Sequence, residues 1–221
     1  MNQRRAHRHT AGRRPKGGRS DSDTRTEILA AARHVFAQHG LDGTSVREVA
    51  NAARVNNAMI YYHFKNKGAL YRAVLSDSFS SLLDIWNDPI FTSNISVRQK
   101  IEKYVESFIR FQLGNEELRR IMTMEFAGNS GHISWICEQY FADNYTRLVK
   151  LLKEGMKSGE LKKFDPSLAV ASLIGVIIHN FNLQPMAEQI HGKCVNLSSK
   201  KFVGFVTDLF FSGLALGQRE F

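Results

Sequence analysis

Apolar side chains recur every three or four residues along most of this chain, and this spacing limits the folds available to it. Ile28, Val35 and Phe36 are an early example, and Phe202 and Val206 are a late one. Such spacing places apolar side chains on one face of an α-helix. The chain has only four prolines and few of the alternating β-branched runs that favour strands. We therefore predict an all-α protein of about nine helices.

The organisation is clearest in residues 23–75, which we treat as an N-terminal domain. A first helix is expected to run from Asp23 or Thr24 to Gly40. A second begins near Thr44 or Ser45. Both residues can cap a helix, and Ser45 also has the capping-box spacing to a glutamate three residues later. Capping preference alone does not decide which of these two residues begins the second helix.

A tight turn at Arg54 is predicted to separate the second helix from a third. Asn56 suits the N-cap of the third helix, and Ile60 and Phe64, four residues apart, face the same core. Asn66 then suits the cap of a fourth helix. Glycine is common in a turn of this kind, so a left-handed conformation at Arg54 would cost on the order of 1 kcal/mol.

These helices meet the requirements of a helix-turn-helix, in which the second of two crossed helices can enter a groove of DNA. Arginine can reach a guanine edge, asparagine can pair with adenine, and methionine can touch a thymine methyl group. Tyrosine hydroxyls and lysine suit phosphate oxygens. One tyrosine of the Tyr61–Tyr62 pair is expected to pack inward. The candidate DNA-binding residues are Thr44, Ser45, Arg47, Asn57, Met59, Tyr61, Tyr62, His63 and Lys67.

This segment resembles the N-terminal domain of the TetR/AcrR family of bacterial transcriptional regulators. The resemblance implies that Arg47, Asn57 and Met59 face bases and that the other six candidates meet phosphates. It also implies a homodimer, a double-stranded DNA operator and a small-molecule effector. Arg54 stands where the family usually has glycine. The matching residues are Ile28, Ala31, Ala32, Phe36, Gly40, Thr44, Ser45, Val46, Arg47, Val49, Ala50, Val55, Ile60, Tyr61, Tyr62, His63, Phe64, Asn66, Lys67 and Leu70.

Residues 1–22 carry much of the positive charge. Seven Lys and Arg residues precede Asp21, and without them the net charge of +9 falls to about +2. A basic segment with so little apolar surface is expected to be a disordered arm. It could lie in a minor groove, where arginine suits the negative potential, or it could be a solubilising tail or a mis-assigned start. The nearly balanced remainder argues against a nonspecific basic DNA-binding protein.

Residues 76–221 are predicted to form a larger, helical C-terminal domain for effector binding and dimerisation. Ser96 and Asn115 suit helix caps, a long helix is expected over residues 132–158, and Asp165–Pro166 begins another. The helices near 166–190 and 198–216 are more apolar than a one-sided core requires. They are candidates for a four-helix bundle between two subunits. The alternative is that they form only the core of this domain.

Aromatic and methionine side chains of the C-terminal domain could line an apolar effector cavity. At helical spacing, the same side chains also suit an ordinary core. The sequence identifies neither the effector nor the operator. The candidates are Phe108, Phe111, Met122, Phe126, Trp135, Phe141, Tyr145, His179 and Phe181.

No motif of an enzyme, a metal site or a cofactor site is present: there is no nucleophile elbow, phosphate loop, zinc-protease motif or Cys-x-x-Cys. Cys137 and Cys194 are too isolated for a disulfide framework or a metal site. No apolar run approaches the ~20 residues of a membrane span, and the charged N-terminus lacks a signal core. A cytoplasmic location without membrane contact is therefore expected. The function predicted is a ligand-responsive homodimeric repressor released from a palindromic operator, with an activator as the alternative.

Overall fold

A computed structural model describes residues 20–128, 131–193 and 196–214. Within these ranges the chain is helical and no strand is present, so the all-α prediction is confirmed. The ten α-helical segments of the described residues correspond to nine helices if the continuous run from Ile133 to Ser158 is counted once. They are α1 Asp21–His39, α2 Val46–Ala53, α3 Asn57–His63, α4 Lys67–Leu83, α5 Val97–Gly114, α6 Glu116–Ala127, α7 Ile133–Ile136, α8 Ala142–Ser158, α9 Pro166–His191 and α10 Lys200–Leu214.

Helix α1 begins earlier than expected. Ser20 caps it and forms a capping box with Asp23, whose backbone N–H lies 3.1 Å from the Ser20 Oγ. Asp21 and Ser22, which we assigned to the basic arm, therefore belong to the first turn of α1. The rest of the predicted arm, residues 1–19, lies outside the described residues.

Helix α4 joins the two predicted domains without a break. Leu70, Tyr71 and Val74 are buried in its first half, and Phe79 and Leu82 are buried in its second half. The predicted boundary at residues 75 and 76 thus falls inside a continuous helix, and one apolar core extends through both domains. A rigid helix at this position can transmit a displacement from one domain to the other.

Two details of the C-terminal domain differ from the prediction. Asn115 precedes α6, but its side chain donates to the carbonyl oxygen of Phe111 on α5 at 2.9 Å and does not cap α6. The helix predicted over residues 132–158 contains a π-helical turn, Cys137–Phe141, between α7 and α8. This turn places the ring of Tyr140 on Phe79 of α4, with 4.4 Å between the ring centroids.

Helices α9 and α10 occupy the two segments in which strongly apolar helices were predicted. Asp165 caps α9, and its Oδ1 accepts the Ser167 N–H at 2.8 Å. By length and composition alone, Pro166–Ile190 could cross a membrane, which corrects the expectation that no run reaches that length. Only 28% of its most apolar window is buried within the chain. A single helix of this kind is weak evidence for a membrane span, because a helix that packs against a partner chain has the same composition.

Candidate nucleic-acid interface and internal cavity

The start of α2 is fixed by a reciprocal cap. The Ser45 Oγ accepts the Glu48 N–H at 3.2 Å, and the Glu48 carboxylate accepts the Ser45 N–H at 2.6 Å. The backbone N–H of Ser45, followed by its hydroxyl, lowers the pKa of Glu48. Of the two candidate caps, Ser45 therefore begins α2, while Arg47 stands exposed in the first turn.

Arg54 makes the turn between α2 and α3. Its φ of 55° and ψ of 41° are left-handed, and it is the one non-glycine residue with positive φ among the described residues. The Val55 N–H bonds to the Ala50 carbonyl at 3.0 Å and the Arg54 N–H bonds to the Asn51 carbonyl at 3.1 Å. This pair of bonds is a Schellman motif. It ends α2 abruptly and lets α3 start after only three residues.

Helix α3 is anchored from one side and open on the other. The Asn56 Oδ1 accepts the Met59 N–H at 2.9 Å, and Ile60 is fully buried. Tyr61 and Tyr62 are 55% and 71% exposed, so the expectation that one tyrosine packs inward is wrong. Both point outward because α3 has only seven residues and the side chains of Ile60 and His63 already take its inward positions.

The nine candidate DNA-binding residues divide by exposure. Ser45, Arg47, Asn57, Tyr61 and Tyr62 are exposed, and Met59, His63 and Lys67 are intermediate as whole residues. Thr44 is buried, and its hydroxyl donates to the Gly40 carbonyl at 2.7 Å. The exposed five and Met59 therefore form an outward surface on α2 and α3.

Lys67 and His63 contact the interior of the N-terminal domain. The Lys67 Nζ donates to the carbonyl oxygens of Leu41 and Thr44 at 2.8 and 3.0 Å, which ties α4 to the loop before α2. The His63 side chain is 4% exposed, and its Nε2 lies 3.6 Å from the Asp21 Oδ1. Lysine has three N–H donors, so Lys67 retains one for an external acceptor.

A cavity of about 830 Å³ lies within the C-terminal domain between α4, α5, α6, α8 and α9. Six of the nine predicted pocket residues line it: Phe108, Phe111, Met122, Phe126, Phe141 and Tyr145. The other three lie elsewhere. Trp135 packs on Tyr140 and beneath Arg72, His179 is exposed, and Phe181 is buried behind Arg119.

Sequence reasoning missed the polar lining of this cavity, chiefly Gln112 and Arg119. A signal was available on α6, because Arg119, Met122 and Phe126 share the i, i+3, i+7 face of a helix. A cation within that apolar stripe indicates a side chain that points into the cavity.

Comparison with known proteins identifies the family. The family model of bacterial regulatory proteins of the tetR family matches residues 28–74. The probable HTH-type transcriptional regulator YttP of Bacillus subtilis is 31% identical over 140 residues, which are 62% of this chain and 67% of YttP. The chain belongs to the TetR family.

A second relative of this TetR-family chain covers more of its length. The HTH-type transcriptional regulator RutR of Escherichia coli K12 is 26% identical over 187 residues, which are 80% of this chain and 82% of RutR. Because such relatives are DNA-binding transcriptional regulators, this TetR-family protein is a DNA-binding regulator and not an enzyme.

The fold agrees with that assignment. The transcriptional regulator FadR of Bacillus subtilis, solved in complex with stearoyl-CoA, superposes with a TM-score of 0.69 at 22% identity. The alignment covers 85% of this chain and 98% of FadR. At this identity the likeness establishes the fold alone: an N-terminal helix-turn-helix domain followed by a helical C-terminal domain.

Proposed function

We propose that the protein is a ligand-responsive repressor that binds a palindromic operator as a homodimer and leaves it when a small molecule fills the cavity. The observation that carries this proposal is the outward surface of α2 and α3, where Arg47, Asn57 and both tyrosines are exposed on a capped scaffold. Arg47, Asn57 and Met59 face bases in this proposal. Ser45, Tyr61 and Tyr62 contact phosphates, and the third N–H of Lys67 does the same.

Thr44 and His63 take a positioning part in this proposal. The Thr44 hydroxyl is used on Gly40, and the His63 ring is enclosed beside Asp21. Each side chain fixes a helix end that presents the exposed residues.

The dimer is supported by apolar surface that the single chain leaves uncovered. Six large apolar side chains of α9 and α10 are between 43% and 69% exposed: Leu168, Leu183, Met186, Ile190, Phe205 and Leu209. Exposed apolar surface of this extent on two neighbouring helices marks an interaction site. A two-fold dimer through these helices would place two α3 helices about one duplex turn, ~34 Å, apart or a multiple of it.

Helix α6 supplies a route from the cavity to the N-terminal domain. Its Arg119, Met122 and Phe126 line the cavity. On other faces, Glu117 contacts His34 of α1 at 2.9 Å, and the buried Glu125 accepts a hydrogen bond from Tyr71 of α4 at 2.5 Å. A ligand that moves α6 would therefore move α1 and α4. Bound ligand would then weaken DNA binding, and bound DNA would weaken ligand binding, by the same coupling free energy, typically 1–3 kcal/mol.

The test of DNA recognition is footprinting on the region upstream of the chain's own gene. The expected result is a protected palindrome. Arg47→Ala should cost about 1–3 kcal/mol and relax preference at one base pair, whereas Tyr62→Ala should weaken binding to all sequences. Arg110→Ala is the control, because it removes the same charge from an exposed arginine on α5. A uniform coat on every duplex would contradict the proposal.

The dimer is tested by sedimentation equilibrium. Phe205→Asp on α10 should shift the protein to monomer and abolish operator binding. Leu113→Asp, at a 45% exposed leucine of α5, should leave the dimer intact. A monomeric wild-type protein would refute this part of the proposal.

The direction of regulation is tested by a reporter gene placed behind the protected site. A repressor lowers expression, and an activator, which is the alternative, raises it. We place the protein in the cytoplasm with its DNA. Fractionation of cells would check this, and recovery in the membrane fraction would contradict it.

A further inference from the structure

Arg119 is the one charged residue among the twenty described residues that line the cavity. It is half-buried, and no carboxylate lies within ion-pair distance of it in the described part of the chain. Its neighbour Arg120, in contrast, is 63% exposed and pairs with Glu116 at 2.8 Å. The two neighbouring arginines therefore differ: Arg120 forms an ion pair on the surface, whereas Arg119 faces a largely apolar cavity.

The Arg119 guanidinium is held in place by two contacts, and neither of them is to a carboxylate. Its carbon lies 4.8 Å from the centre of the Phe181 ring, and its Nη1 donates to the main-chain carbonyl of Gln112. Burial lowers the pKa of Arg119 from its ordinary value, but an arginine stays protonated in a protein. The carbonyl uses one of five N–H donors, so the group can still bind an anion.

Gln112 supplies a second polar group beside Arg119. The residue is 6% exposed, lines the cavity, and its Oε1 has no hydrogen-bond partner. The two ends of a glutamine amide exchange by rotation, so its NH₂ can also be turned toward a ligand. Asn144 is different, because it binds both Trp86 and Tyr104 and has no such freedom. Gln112 and Arg119 thus place two adjacent polar groups at the corner between α5 and α6.

The remaining lining is dominated by aromatic and aliphatic side chains, among them Phe79, Leu82, Phe108, Phe141, Ile174 and Ile178. A volume of about 830 Å³ falls in the range of ligand pockets. We propose that the effector is an amphipathic anion, whose anionic head group binds Arg119 and Gln112 and whose apolar body fills the space between α4, α5, α8 and α9. This proposal rests on the cavity being the effector site.

The test is calorimetric titration of the free, full-length protein with dodecanoate and dodecyltrimethylammonium, both below micelle formation, and with dodecanol below its solubility limit. Dodecanoate should bind at least about tenfold tighter than dodecanol, because a charge-assisted hydrogen bond in a partly buried site contributes about this much. The cation should bind weakest. Equal affinity for dodecanoate and dodecanol would overturn the proposal.

An acyl thioester is a second source of the same chemistry, and dodecanoyl-CoA is titrated in parallel. If dodecanoyl-CoA binds more tightly than dodecanoate, the anionic group that Arg119 recognises is a phosphate of the CoA carrier. If dodecanoate binds more tightly, the recognised group is a free carboxylate. Both results support an amphipathic anion, while binding of neither contradicts it.

Variants locate the anion site. Arg119→Gln should remove the preference for dodecanoate over dodecanol, and Arg119→Lys should keep part of it. Arg120→Gln is the matched control and should behave as wild type. Gly175→Phe should block all three ligands, since a Cβ at this cavity-lining glycine meets no atom within 4 Å and a larger side chain extends into the cavity. An unchanged preference in Arg119→Gln would refute the assignment, and circular dichroism checks that each variant folds.

These measurements use no DNA, so they separate this proposal from the preceding one. If dodecanoate binds through Arg119 but leaves operator binding unchanged, the proposal of an amphipathic anion is supported and the proposal that the ligand releases DNA is contradicted. If the protein binds the operator but none of the anions binds in the cavity, the proposal of a DNA-binding regulator is supported and the proposal of an amphipathic anion is contradicted.

Discussion

The N-terminal and C-terminal domains of this regulator are both helical, but they are specified in different ways. In the N-terminal domain, α2 and α3 have eight and seven residues, and side-chain caps at Ser45, Asn56 and Asn66 begin the helices from α2 to α4. In the C-terminal domain, all α-helices except α7 are longer than these two, and the cavity is formed where five helices meet. Helices this short are not stable alone, so caps and a small core must fix them. The position of the DNA-binding surface is consequently a local property, while the cavity is not.

The largest expected effect comes from Ile60, the fully buried residue of α3. Ile60→Ala should destabilise the protein by about 2–5 kcal/mol and abolish operator binding while most helical signal remains. The control is Ile109→Ala in α5, which is equally buried at 2% exposure but lies far from α3. It should lose similar stability and keep operator binding at low temperature. Circular dichroism and gel shift measure both, and retained binding in Ile60→Ala would contradict the local account of α3.

The connection between the domains is tested by Tyr71→Phe, which removes the buried hydrogen bond to Glu125. Burial raises the pKa of Tyr71, so its hydroxyl stays a donor over the usual pH range. Loss of the bond should cost about 1–3 kcal/mol and should let the two domains unfold separately in urea. Both tryptophans, Trp86 and Trp135, report on the C-terminal domain, and hydrogen exchange of the backbone amides of α1 to α3 reports on the N-terminal domain.

Tyr104→Phe is the control for this experiment. It also removes one buried hydrogen bond, the one from Asn144, but that bond lies within the C-terminal domain. The variant should lose stability with the two transitions still together. Separation of the transitions in both variants would show that Tyr71 has no special part in joining the domains.

The turn between α2 and α3 gives a smaller effect of opposite sign. Arg54→Gly relieves the left-handed strain at φ 55° and should stabilise the protein by up to about 1 kcal/mol, after the entropy that glycine adds to the unfolded chain. Ala52→Gly, at an exposed position of α2, should destabilise it by roughly 0.5–1 kcal/mol. Thermal unfolding measures both. A destabilised Arg54→Gly would mean that the arginine side chain makes a contact that outweighs the strain.

The smallest effect is the acid dependence of the cap on α2. The pKa of Glu48 is lowered in the folded protein, so its stabilising contribution is present above the ordinary value of 4.5 and is lost as the pH falls below it. Glu48→Gln can keep the reciprocal hydrogen bond but cannot titrate. The difference in melting temperature between wild type and Glu48→Gln should therefore shrink below pH 4.5. Ser45→Ala keeps the backbone N–H at position 45, which is the larger cause of the lowered pKa, and should therefore retain most of this pH dependence. A difference that is constant with pH would contradict this assignment.

The sequence by itself determined the helical class, the helix-turn-helix and most helix starts of the N-terminal domain. It could do so because caps, turns and apolar spacing act over three or four residues. The caps at Asn56 and Asn66 were predicted on this basis and are confirmed. Ser45 is the one of two candidate caps that begins α2, and Arg54, whose possible left-handed strain was recognised from the sequence, has that conformation. Six of the nine predicted pocket residues also line the cavity, because aromatic residues on one face of a helix meet in the interior.

Only the tertiary structure decided which side chains are exposed and which charges are compensated. Both tyrosines of α3 face outward, the Lys67 amine is held by two carbonyl groups, and Arg119 lines an apolar cavity with no carboxylate at ion-pair distance among the described residues. Each of these facts depends on residues more than six positions away along the chain. Periodicity describes one helix at a time, and it carries no information on the neighbours that fold against that helix.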